Sequence, residues 1–466
     1  MTVSRRNFMK LMGTGAAATA VAPLAALYSR AAAGAPSFGP GFGPLEPQLA
    51  VNAAELIITQ PNGAVLNWIN TPILALPKGF SYRVVSVVGQ TMADGKLVPG
   101  DHDGMAAFNG PEATTILVRN HELTTGESEF GNTKGVDIPD ELKWEATNPG
   151  GTSTLVIDQQ GRLVKDFGSL GGTYNNCAGG LTPWGSWLTC EETFRTPGVQ
   201  AGVTKRHGYV FEVPANAQGP VAAAPIVGMG RFSHEATATD PETGYVYETE
   251  DRGDSCFYRY LPNVPGQLLQ GGTLEAMVIR GYPAINTKAG LNGGVIQPGA
   301  TFPVEWVNID TPDPGTDTVR YQAQNKGAAI FYRGEGMWYG NGLIYFISTG
   351  DGSSGSVHWG QVWAYDPRAN TVTLAVQSPG MNMLDAPDNI TVGPDGRLYL
   401  CEDGGGDQFI VSVNANGDLS QVAKNVLNGN EFAGACFSHN GRFMFVNIQS
   451  PGMTLVIDGP WLKGQA

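Results

Sequence analysis

One pattern recurs along the chain: a turn with glycine, a few alternating apolar residues, then a polar or acidic end. It is seen at residues 114–122, 187–192, 244–251, 341–351, 395–403 and 440–449, about 45 to 100 residues apart. Alternation at period two makes each a strand, and Gly, Asn, Asp and Pro bound them. With 64 glycines and 31 prolines and few stretches at helical period, the chain reads as all-β. Second strands such as 208–213 and 361–366 fit a spacing wide enough for a four-stranded sheet per unit. Six such sheets set radially make a six-bladed β-propeller with loop insertions. A pair of β-sandwiches with unrelated acidic turns is the alternative. In a propeller the strand ends meet at one end of the central channel, so acids following equivalent strands converge there.

The first residues stand apart from that pattern. Ser4-Arg5-Arg6-Asn7-Phe8-Met9-Lys10 is a twin-arginine pattern, followed by an Ala-rich apolar run over 11–26 and small residues at 31–33. This reads as an export signal over residues 1–33, cleaved on the way to the periplasm or the medium, rather than a membrane anchor. Residues 34–50 read as a loose Gly/Pro-rich lead-in, and 51–466 as one catalytic domain. The whole chain carries 28 Lys and Arg against 42 Asp and Glu. Without the leader's four basic residues the net charge is near −18. Such a surface repels nucleic acid and anionic membrane, and suits an anionic substrate only where bound cations reverse the sign locally. Five cysteines, an odd and sparse set, do not make a disulfide framework.

The residues able to carry chemistry are Glu122, Cys177, Glu191, Glu192, Glu235, Glu250, Asp251, Glu335, Asp388, Glu402 and Asp403. So many carboxylates share a channel only with cations between them, and their number and hardness suit Ca2+. Any one of them alone is a solvated turn residue as readily as a ligand. Cys177 is a poor calcium ligand and a good transition-metal ligand, or else a small buried hydrophobe. Cys190, Cys256, Cys401 and Cys436 read as core. His234, beside Glu235, is a ligand, a proton carrier, an orienter or simply structural. Arg333 and Glu335 lie two apart, on one face if extended. The carboxylate could hold a metal while the guanidinium grips phosphate; a surface ion pair is the plainer reading. G-x-S-x-G, G-x-x-x-x-G-K, H-E-x-x-H and zinc-spaced cysteines are all missing.

Asn176-Cys177-Ala178-Gly179-Gly180, Thr182-Pro183-Trp184-Gly185, Thr189-Cys190-Glu191-Glu192, His234-Glu235, Arg333-Gly334-Glu335-Gly336, Pro387-Asp388-Asn389 and Glu431-Phe432-Ala433-Gly434 resemble the PhoX family of bacterial alkaline phosphatases. The resemblance runs from about Leu76 to Trp461. It implies a six-bladed propeller exported by the twin-arginine machinery, with two oxo-bridged ferric ions and three calcium ions in its channel. It implies Cys177 as an iron ligand, Glu235 and Glu335 as cluster ligands, and Arg333 as the phosphate clamp. Glu122, Glu191, Asp388 and Glu402 follow as further ligands, with Glu192, Asn389, Asp403 and His234 as weaker candidates. The continuation Met337-Trp338-Tyr339-Gly340 departs from the family's pattern. The expected activity is hydrolysis of small phosphate monoesters, with Ca2+ and Fe3+ as cofactors. A calcium-only propeller hydrolase, phytase-like or a lactonase, and a non-catalytic propeller scaffold are the rival readings.

Overall fold

The computed structural model describes residues 41–125, 135–288, 296–350 and 359–462. The leader expected over 1–33, the start of the lead-in at 34–40, Asp351 and the last four residues lie outside them.

The described chain is almost wholly antiparallel β-structure in a propeller-like arrangement. Six strands lie innermost: His102–Asn109, Asn176–Leu181, His234–Thr239, Gly334–Gly340, Pro387–Val392 and Phe432–Phe437. Each packs on the next in chain order, and the last returns to the first. Gly104, Ala178, Ala236, Gly336, Asn389 and Gly434, one from each, line a single axial cavity. Five of these positions are Gly or Ala because six strands converging on an axis leave little room for side chains. A Cβ on Gly336 would lie 2.4 Å from the Asp388 carbonyl oxygen, closer than any van der Waals contact allows.

Each innermost strand pairs with the strand that follows it: Thr115–His121, Ser186–Glu191, Val246–Glu250, Leu343–Thr349, Leu398–Glu402 and Phe443–Ile448. The outer parts of the sheets are less regular. The second sheet has three strands. The third and fourth are fused through Thr301–Asn308, which pairs with both Gly272–Ile279 and Thr371–Gln377. The last sheet is completed by Ser81–Val87, from early in the described chain, alongside Met453–Asp458. Within the lead-in, Glu46–Gln48 pairs with Leu74–Leu76 and Ala50 is buried, so this part is docked on a sheet edge.

The sheets hold together through apolar layers between them. Fully burying a Val, Leu, Ile or Phe there contributes about 1.5–3 kcal/mol. One layer joins Phe42, Phe80, Tyr399, Phe437 and Trp461 edge to face. Trp338 packs against three separate layers. It lies three residues beyond Glu335 on the same strand, about 10 Å further along, and it is among the residues lining the axial cavity. The free cysteines 190, 256, 401 and 436 are buried as the sequence implies.

Candidate functional site

Every innermost strand slips register against its partner at its start. The slips fall between His102 and Met105, Asn176 and Gly179, His234 and Thr237, Gly334 and Met337, Pro387 and Ile390, and Ala433 and Cys436. A bulge removes a residue from the ladder and re-aims its side chain. The residues so placed are Asp103, Cys177, Glu235, Glu335 and Asp388; the sixth bulge holds only Gly434 and Ala435.

A second tier lies above the first. At the end of each partner strand, one amide reaches back to the carbonyl preceding the innermost strand of the same sheet. These bonds are Glu122 to Asp101, Glu192 to Asn175, Asp251 to Ser233, Thr349 to Arg333, Asp403 to Ala386 and Gln449 to Glu431. They bring Glu122, Glu192, Asp251 and Asp403 to the channel mouth, facing Asn175, Arg333 and Glu431. Asp101, Asn175, Arg333 and Ala386 all have positive φ, between 40° and 52°. Such conformations cost about 1 kcal/mol or more each for residues other than glycine, and four of them fall at equivalent places around the mouth.

The tiers form one cluster of nine carboxylates, a thiol and a guanidinium. Asp103, Glu235 and Glu335 are buried, while Asp403 stands exposed at the rim. Ligand atoms of Cys177, Glu192 and Glu235 lie within 4.8 Å of one another, and so do those of Glu235, Glu335 and Asp388. Burial first, then repulsion between neighbouring acids, pushes the carboxyls of Asp103, Glu192, Glu235, Glu335 and Glu431 well above the usual carboxylate range. Burial, reinforced by Glu235, Glu192 and Glu122, likewise pushes up the Cys177 thiol. Its S–H donates to the His234 carbonyl at 3.4 Å.

Arg333 is the cluster's cation. Its Nε and Nη2 donate to Asp251 at 2.9 and 3.1 Å, and Nη2 also to Glu335 at 2.7 Å. Burial opposes its charge, but Glu335 and Asp251 outweigh that and hold the guanidinium above its ordinary value. Asn175 donates to both Glu122 and Glu192 at 3.1 Å, and Gln449 donates to Glu122 at 2.7 Å. One guanidinium does not balance nine carboxylates, so the donor set fits added cations. The oxygens suit a hard ion such as calcium, and the thiolate a transition metal.

Comparison with protein families matches residues 61–168 and 161–452 to the alkaline phosphatase PhoX model. Those residues include every member of the cluster. The chain belongs to the PhoX alkaline phosphatase family. Among solved structures, it is similar to Pseudomonas fluorescens PhoX in complex with vanadate, a transition state analogue. The TM-score is 0.64 and the identity 17%, over 86% of this chain and 97% of that one. A Xanthomonas campestris gluconolactonase matches with a TM-score of 0.41 and 13% identity, over 90% of this chain and 98% of that one. Comparison with curated proteins returns no match.

Of the residues singled out in the sequence, the PhoX-family cluster gathers Glu122, Cys177, Glu192, Glu235, Asp251, Arg333, Glu335, Asp388 and Asp403. Glu191 is not in it. Its carboxylate takes the His207 Nδ1 at 2.6 Å and the amides of Tyr174, Gly208 and Tyr209. Glu402 likewise accepts the Asp385 and Phe409 amides, and Glu250 binds Tyr258 and Arg320. These three end their strands with side chains turned away from the channel; the next residue makes the turn into the mouth. His234 stacks on Phe232 and faces Glu248 at 3.2 Å, and burial pushes its imidazole down to about 3. It points away from the neighbouring Glu235. Asn389 is a support: it donates to Asp388 and accepts the Gly434 amide. Asp103 and Glu431 were not among the candidates. An acid followed by a small residue at a strand start could have found Asp103, because Asp103-Gly104 parallels Glu235-Ala236 and Glu335-Gly336.

Proposed function

We propose that the chain is an exported phosphatase that hydrolyses small phosphate monoesters in the channel of a six-bladed propeller, releasing inorganic phosphate. Six innermost strands closing on one axis support the blade count. The observation that carries the function is Arg333. A guanidinium with about a third of its side-chain surface exposed stands at the mouth, braced by Asp251 and Glu335 beside the two ligand groups. Glu122, Cys177, Glu192, Glu235, Asp251, Glu335, Asp388 and Asp403, together with Asp103 and Glu431, are the residues that would hold calcium and iron. When bound, those ions supply positive charge and Lewis acidity toward a phosphoryl group. Cys177 favours the mixed cluster over a calcium-only hydrolase, because calcium does not call for a thiolate.

The chain's own part is positioning. Asp251 and Glu335 fix the guanidinium plane through Nε and Nη2. Among the described residues Nη1 has no hydrogen-bond partner, so it is available to a phosphoryl oxygen. The left-handed backbone at Arg333 aims the side chain over the bulge that carries Glu335. Asn175 and Gln449 hold Glu122 and Glu192 in register across the mouth. No side-chain nucleophile is required.

We also read residues 1–33 as a twin-arginine leader, 51–466 as one catalytic domain, and the site of action as the periplasm or the medium. Among the described residues no helix is long and apolar enough to cross a membrane. The test is Arg333→Ala, assayed with p-nitrophenyl phosphate alongside elemental analysis of the same preparation. The variant should keep its metals and lose about 100- to 1,000-fold in turnover, the usual cost of removing a transition-state charge donor. Undiminished turnover would remove Arg333 from the mechanism. Calcium without iron in the wild-type protein would turn the reading to a calcium-only hydrolase.

A further inference from the structure

The geometry points to Thr249 as the residue that sets the spacing between Glu235 and Glu335, and so to a positioning role in cation binding that rests on the metal reading above. Thr249 is buried on the strand Val246–Glu250, two residues before Asp251. Its hydroxyl accepts the Ala236 amide at 3.0 Å and donates to the Glu335 carbonyl at 2.7 Å. One oxygen thus touches two bulges, the residue after Glu235 in one and Glu335 itself in the other. These bulges belong to neighbouring innermost strands, and their carboxylates share a ligand group with Asp388.

The same place in two other sheets does the same work with different chemistry. Asn120, two residues before Glu122, donates to the Cys177 and Ala178 carbonyls at 2.9 and 2.7 Å. Asn447, two residues before Gln449, donates to the Asp103 carbonyl at 2.6 Å. Bulged residues lose ladder partners, and a buried carbonyl left unpaired is costly. In each case a side chain from the preceding sheet supplies the missing donor. The bulge is thereby tied to its neighbour rather than only to its own sheet. Thr249 differs in holding two ligand-bearing bulges at once, so its loss changes the distance between ligands as well as the shape of one bulge.

The test compares Thr249→Val, of the same shape without the hydroxyl, with Thr249→Ser, which keeps it. Full-length protein is stripped with EGTA, then titrated calorimetrically with Ca2+ alone; melting is followed in the chelator. Loss of an outer support typically weakens metal binding 10- to 100-fold. Thr249→Val should therefore bind calcium about 10-fold or more weakly, and Thr249→Ser within about twofold of wild type. Should Thr249→Val not fold, Thr249→Ala carries the same expectation. Unchanged calcium affinity in the hydroxyl-free variant overturns the inference, as does a loss of melting temperature in chelator with affinity intact, which is what a purely structural role gives. A wild-type protein that binds no calcium overturns the metal reading and this inference together. Calcium binding that depends on Thr249 in a protein without phosphatase activity upholds the inference while the phosphatase reading fails.

Discussion

Replacing Glu335 by Gln keeps the shape of the side chain and removes one charge from the most crowded part of the cluster. Oxygens of Glu235 and Asp388 lie within 4.8 Å of it, and Arg333 Nη2 at 2.7 Å. With an effective dielectric of about 20, each such carboxylate pair repels by about 3.5 kcal/mol and the ion pair attracts by about 6 kcal/mol. Two repulsions exceed one attraction by about 1 kcal/mol; repulsion from Asp251 and burial of the charge add to that, and uptake of a proton by the raised carboxyl takes from it. In chelator, Glu335→Gln should therefore be at least as stable as wild type, by up to about 1 kcal/mol. With cations the order reverses. A cation at a hundred times its Kd adds about 2.7 kcal/mol, and one bound a hundredfold more weakly adds about 0.4 kcal/mol. For a chain of this size 1 kcal/mol moves the midpoint by about 1 °C. Scanning calorimetry in EGTA and then in excess calcium should show wild type gaining about 3 °C and the variant under 1 °C. A variant that is less stable in chelator, with the wild-type gain in calcium, would refute the reasoning. Glu335 would then be a structural partner of Arg333 and nothing more.

Two further perturbations follow from the packing. His207 lies between Glu145 at 2.7 Å and Glu191 at 2.6 Å, all three buried; His207→Leu strands two carboxylates and should cost about 3–5 kcal/mol in urea unfolding. Burial pushes the His207 imidazole down, but Glu191 and Glu145 outweigh it and hold it above its ordinary value. Its contribution is thus complete below about pH 6.5 and is lost as pH rises through the folded value; the variant should lack this alkaline decline. Gly336→Ala would put a methyl 2.4 Å from the Asp388 carbonyl oxygen. It should destabilise by about 1–3 kcal/mol and lower calcium affinity measured by titration, since it parts the bulges carrying Glu335 and Asp388.

The strand ends and their acids were legible in the sequence because period-two alternation and turn residues are local. Which of two adjacent acids enters the channel was not. At 191–192 and at 402–403 the sequence reading favoured the first acid, and the mouth takes the second. The last residue of each partner strand still obeys the pleat, whereas the next is turned by its amide bond to the neighbouring strand's entry carbonyl. That bond joins residues 17 positions apart in both cases, and periodicity does not report it. Asp103 was hidden for a related reason. Its strand, His102–Asn109, carries two alanines and a glycine and shows no apolar alternation, because its job is to pass close to the axis. Glu431 precedes its strand rather than following one, so the strand-end rule that found Glu122 and Asp251 passes over it, and only the motif Glu431-Phe432-Ala433-Gly434 marks it. Arg333 and Glu335 were paired by spacing alone, and their bond at 2.7 Å agrees.

The closing sheet ties assembly of the site to the whole length of the chain. Ser81–Val87 pairs with Met453–Asp458, and neither strand carries a member of the cluster. Until both are in place, the strands bearing Asp103 and Glu431 have no fixed relation, although they are neighbours in the finished ring. Contacts between residues so far apart in sequence form slowly, because loop closure must be met before they reward it. The groups Cys177, Glu192, Glu235 and Glu235, Glu335, Asp388 lie on consecutive sheets, so it is the meeting of Asp103 and Glu431 that waits for closure. A chain that has not closed would hold those two acids at opposite ends of an open row of sheets. Closure adds Asp103 and Glu431 to acids already crowded on the middle sheets, so cations that bind the full set favour the closed ring over the open one.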